Sequence, residues 1–182
     1  INVGIAGGSS GTYALNVNGN GTAKNGRRFR AYGCKFEGPT GNPAVLLNGT
    51  ADYNVSDALF EDCELAWCGT GIRLASYGYG VVTQLRIKNC WFHNFTAAGL
   101  DASVLADYVA ANLNLEDSKF DQQEDGTEPT DFILLSNNSN TGFINGNRFA
   151  IATNDTTKLT IGTGLMWGAN ATEAGWSTAR PS

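Results

Sequence analysis

One short pattern repeats along the chain. Cys34, Cys63, Cys90, Ser118 and Asn147 stand 29, 27, 28 and 29 residues apart, and each is followed two places on by Phe36, Leu65, Phe92, Phe120 or Phe149. Self-similarity at a fixed period of this size marks a solenoid, in which each repeat buries its apolar side only by stacking on its neighbours. Aligned on these anchors, the segments FRAYGCKF, ALFEDCEL, LRIKNCWF, LNLEDSKF and GFINGNRF agree in further columns. Apolar or small residues recur five and three places before the anchor: Phe29 and Ala31, Ala58 and Phe60, Leu85 and Ile87, Leu113 and Leu115, Gly142 and Ile144. A spacing of two is the period of a strand with one buried face.

The residue before each anchor is Gly33, Asp62, Asn89, Asp117 or Gly146. These types best tolerate a left-handed backbone, so a bend is expected there in every repeat, turning a second strand away from the first. Further strands are expected at 14–17, 44–47, 71–75, 98–102, 132–136 and 159–161. With no helical pattern between them, the spacing predicts an all-β fold, a parallel β-helix of about five to six coils over residues 1–161. At about 4.8 Å per rung this is a stub roughly 25 to 30 Å long with two open ends. A β-sandwich, the alternative, gives no reason for residue columns to align at a fixed period. The 23 glycines against 4 prolines fit a chain of tight turns. Residues 162–182, with Trp167 and Trp176 in a Gly and Ala background, carry no anchor column and are read as a C-terminal cap or subunit-contact tail.

Three of the four cysteines share the anchor column, where a small apolar thiol packs well, so a ladder of buried free thiols is expected rather than a disulfide framework. Zinc sites want paired Cys or His spacings, and the single histidine, His93, has no second ligand type nearby in sequence. No metal and no cofactor is expected. Cys68 lies outside the ladder with no role assigned. A net charge of -5 and the lack of a basic patch interleaved with aromatics argue against a nucleic-acid partner. No apolar run is long enough for a membrane span, so no membrane partner is expected.

Function in a solenoid belongs to its outward columns. Four places before the anchor stand Arg30, Leu59, Arg86, Asn114 and Phe143. Apolar Leu59 and Phe143 in an outward column point to a subunit interface, to which Trp167 and Trp176 of the tail are added. Trp67, Tyr77, Tyr79 and Trp91 fall on or near turns and outward faces, where they would serve as glycan-stacking contacts, cover neighbouring loops or make a subunit contact. Catalysis by paired carboxylates would draw on the loop DQQEDGTEPTD, on Glu64 with Asp62, or on His93 placed one rung from Asp121. The loop lacks the alternation and glycine of a calcium loop and reads as a solvated turn. No catalytic residue is assigned.

The bend, small inward residue and following Phe, together with the tail ATEAGWSTARPS, resemble the right-handed parallel β-helix repeat proteins of tailed-bacteriophage virions. That resemblance implies a single-stranded right-handed helix, assembly as a homotrimer and a place on the virion surface, outside the cell, as a capsid decoration or fibre component. Its partners would be capsid or tail proteins. The expected function is therefore non-enzymatic. The alternatives are a tailspike-type β-helix that binds or cleaves a host surface glycan, with a polysaccharide depolymerase as the enzymatic form, and an extracellular adhesin.

Overall fold

Gly33, Asp62, Asn89, Asp117 and Gly146 all adopt positive φ, at 58°, 55°, 50°, 49° and 73°. The bend before each anchor is thus built into every repeat. The computed structural model describes residues 4–6, 13–18, 28–50, 55–77, 82–103, 110–136, 141–151, 156–172, 175–177, 179 and 181. Within them the chain is an all-β parallel solenoid; the sole helical element described is a 3₁₀ turn at Thr156–Lys158.

Strands before the bend, Phe29–Tyr32, Ala58–Glu61, Arg86–Lys88, Leu113–Glu116, Gly142–Asn145 and Leu165–Trp167, form one six-stranded parallel sheet. Their register places Arg30, Leu59, Arg86, Asn114, Phe143 and Met166 in a single lateral row. Strands after the bend belong to a second, larger sheet that folds at a corner within Glu64–Tyr77 and Trp91–Asp101. Trp67 and Asn94 occupy that corner, both at φ 52°. A third, short sheet of Val55–Ser56, Val82–Thr83 and Ala110–Ala111 precedes further bends at Asp57, Gln84 and Asn112.

Side chains inside the coil stack rung on rung. Phe36, Leu65, Phe92, Phe120 and Phe149 are all buried. Phe92 lies 4.4 Å from Phe120 at an interplanar angle of 5°, Phe120 lies 5.0 Å from Phe149, and Trp167 continues the stack at 6.2 Å. Each such ring contributes about 1.5–3 kcal/mol by burial and about 0.5–1.5 kcal/mol more by stacking. Cys63, Cys90, Ser118 and Asn147 line the interior beside the rings, and the described cysteines are free thiols. Cys68 is also core, at the corner, where burial pushes its thiol up to about 12.

The solenoid completes about four full turns, slightly fewer than the five to six coils expected. Ladder pairing runs past Ile161: Leu165–Trp167 pairs parallel with Gly142–Asn145, and Asn170–Thr172 extends the second sheet through Arg148. Asn170 stands in the anchor column 23 residues after Asn147 and bonds to it. Gly175–Ser177 then folds back antiparallel on Asn170–Thr172, and the parallel ladder ends there.

Candidate functional site

Because alternate residues of a strand face opposite ways, the residue after each anchor and the one two places later point out of the second sheet. This places Lys35, Glu64, Trp91 and Lys119 in one outward row, with Glu37, His93 and Asp121 beside it. Lys35 Nζ lies 2.9 Å from both Glu37 Oε1 and Glu64 Oε1. His93 Nε2 sits 2.9 Å from Glu64 Oε1, and Lys119 pairs with Asp121 at 2.5 Å. The Trp91 indole stacks on His93 at 4.1 Å, donates from Nε1 to Asp121 Oδ2 at 2.7 Å and has Lys119 Nζ 5.3 Å from its ring centre. Hydrogen bonds donated to Glu37 and then to Glu64 raise the Lys35 ammonium above its ordinary value. Burial pushes Glu64 up, but the bonds from Lys35 and His93 outweigh it and leave the carboxyl lowered.

His93 therefore bonds Glu64 on one neighbouring rung, where the sequence pointed to Asp121 on the other. Asp121 is taken by Trp91 and Lys119. Asp62 turns to the next bend, where it accepts from Asn89 Nδ2 at 2.6 Å. In the acidic loop Asp125 caps the Thr127 N–H at 2.8 Å, and Glu128 pairs with Lys158 at 3.2 Å. Beyond the loop, Asp101 is buried against Arg73 Nε at 3.0 Å and the Ser103 hydroxyl. Among the described residues, no three His, Cys, Asp or Glu side chains gather as a metal-binding group.

On the six-stranded sheet, Leu59 and Phe143 stand in the outward row as expected, yet Leu59 is only 9% exposed. It lies between Arg30 and Arg86, which both reach Asp57: Arg30 Nη2 to Oδ2 at 2.7 Å, Arg86 Nη2 to Oδ1 at 3.2 Å. The Arg30 hydrogen bond in particular holds the Asp57 carboxyl below its usual range. Two depressions open on this face: one of about 440 Å³ around Asp57, Gln84, Arg86, Asn112 and Asn114, and one of about 370 Å³ that shares Arg86 and Asn114. The pattern of anchors gave no sign of them, since they form between residues six, four and two places before the anchor on successive rungs.

Among the described residues, Trp67 and Trp91 are the large aromatics most exposed on the second sheet, at 47% and 42%. Phe143 and Trp167 are half-buried. Tyr79 lies outside the described residues, as do the side chains of Tyr77 and Trp176. Comparison with protein-family models, curated proteins and solved structures returned no match for this chain.

Proposed function

We propose that this chain is a non-catalytic component of a tailed-phage virion surface, a rigid β-solenoid that assembles with two further copies as a capsid decoration or fibre element. One observation carries the reading: the acids and bases on the outward row hold one another, Lys35 to Glu64 and Glu64 to His93 across rungs and Lys119 to Asp121 along one. Groups neutralised in this way brace a surface; none of them stands beside a second, unengaged acid as glycoside cleavage requires. The parallel solenoid and the sequence resemblance supply the setting, and the resemblance supplies the trimer.

Leu59 has little surface left to give a partner, so the subunit contact falls to Trp67 and Trp91. Half-exposed tryptophans rimmed by charge are the composition of an interface centre and its border. Light scattering on the purified chain tests this. A mass of three chains that drops on Trp67→Ala with Trp91→Ala supports the assembly, and a monomer at all concentrations overturns it. Release of reducing ends from a polysaccharide by the wild-type chain would overturn the non-catalytic reading.

A further inference from the structure

We propose that the two adjoining depressions on the six-stranded sheet form one trough that binds a neutral oligosaccharide. The depressions meet at Arg86 and Asn114, which line both, so they run together across three rungs, Ala58–Glu61, Arg86–Lys88 and Leu113–Glu116.

The lining chemistry selects the ligand. Asp57, Glu61 and Glu116 supply negative charge; Arg86 and Lys88 supply positive charge, and Arg30 holds Asp57 from behind. The balance gives neither a polyanion nor a polycation an advantage, which sets aside phosphate chains and nucleic acid. What remains is donor beside acceptor. Arg86 donates next to Asp57, which accepts, at 3.2 Å, and Lys88 stands 3.9 Å from Glu61. Gln84, Asn112 and Asn114 add side-chain amides that both donate and accept, and these amides make no side-chain hydrogen bond to another described residue. A sugar hydroxyl likewise donates and accepts at one atom, so a row of such pairs matches a row of hydroxyls.

The strands flanking the trough on either side each carry an aromatic residue, assigned in this proposal to the C–H face of a sugar ring. Tyr32, 55% exposed, is the lateral neighbour of Glu61, and Phe143 is the lateral neighbour of Asn114. The side chains stand on paired strands, and the Asp57–Arg30–Arg86 cluster fixes one wall, so little ordering remains to be done on binding. The trough lies on a different sheet from Trp67 and Trp91, and the proposal holds whether or not those residues make a subunit contact.

The test is a printed array of neutral and acidic glycans, followed by calorimetric titration with the strongest neutral glycan. Expected is retention of a neutral glycan that survives about 0.5 M salt, where charge attraction is screened. Asn114→Ala, and Gln84→Gly with Asn112→Gly, which suit the positive φ of those two positions, should each weaken it about tenfold or more with unchanged circular dichroism, while Trp91→Ala leaves it intact. These amides are on the surface, so their variants fold even if Arg86→Ala does not. Retention of acidic glycans alone, binding abolished by salt, loss in Trp91→Ala with retention in Asn114→Ala, or no neutral glycan retained would each overturn the assignment.

Discussion

The side-chain amide of Asn147 donates to Oδ1 of Asn170 at 3.0 Å inside the coil. In the same column the Ser118 N–H donates to Asn147 Oδ1 at 2.9 Å, so a polar ladder takes over where the thiol ladder stops. Asn147 Nδ2 also reaches the carbonyls of Leu115 and Asn145, at 3.0 and 3.1 Å.

Asn147→Leu should therefore be severe. It strands the Ser118 N–H and removes the donor to several acceptors, at about 1–3 kcal/mol for each buried group left without a partner. Cys90→Ser should be mild, about 1 kcal/mol, because a hydroxyl there repeats what Ser118 already does: Ser118 Oγ donates to Glu116 O at 2.9 Å, as Cys90 Sγ does to Lys88 O at 3.4 Å. Urea unfolding of both variants checks the contrast, and equal losses would show that the ladder is not held by the amide.

Glycine matters at one stacked pair of the interior. Gly71 and Gly99 are lateral neighbours, and a methyl group on Gly99 would stand 2.6 Å from Phe120 Cδ1 and 2.9 Å from the Phe132 carbonyl. The stacked Phe92 and Phe120 rings fill the space that the two glycines leave. Gly99→Ala should cost about 1–3 kcal/mol by overpacking and lower Tm by several degrees, about 2–4 °C per kcal/mol at this chain length. Thermal unfolding followed by near-ultraviolet circular dichroism reads both the loss and any disturbance of the aromatic stack.

The period was legible because each repeat carries its own strand, bend and anchor within a few residues, and so were the lateral rows. Asn170 was not, because its rung is shortened to 23 residues from the previous anchor. Nor was the covering of Leu59, which depends on Arg30 and Arg86 converging on Asp57 across 27 and 29 residues. His93 had an acid one rung away on either side. The choice of Glu64 over Asp121 follows from the Trp91 indole N–H, and a linear pattern does not encode which way that ring turns.

Two kinds of carboxylate should pull stability in opposite directions with pH. Burial raises Asp131; Lys158 opposes that and Asp101 adds to it. A folded value above the unfolded one makes the ionised group a penalty at neutral pH, relieved as pH falls through the folded value. Glu64 and Asp57 are lowered, so their stabilisation is present above their unfolded values and lost as pH falls through the folded ones. Asp131→Asn should then raise Tm near pH 7, with the gain vanishing toward about pH 4, the ordinary Asp range. Glu64→Gln should lower Tm near pH 7 and converge with wild type in more acid solution, below about pH 4. Parallel gaps across the whole range would mean that neither effect is electrostatic.

Trp67 carries a bulky side chain at φ 52°, at the corner position that the next rung fills with Asn94 at the same angle. A left-handed backbone costs a residue with Cβ about 1–2 kcal/mol, and asparagine relieves part of that by local hydrogen bonding. A half-exposed indole held against this strain is poor economy for a lone solenoid and makes sense as a contact for another subunit. Trp67→Asn should therefore raise the Tm of the isolated chain by a few degrees, at about 2–4 °C per kcal/mol, while shifting dissociation of the proposed trimer to higher protein concentration. Thermal scans and light scattering on one preparation separate the two effects. A higher Tm with an unchanged trimer would confirm the strain and move the subunit contact away from Trp67; a lower Tm would mean that the indole covers its own corner, with Cys68 and Ala66 beneath it.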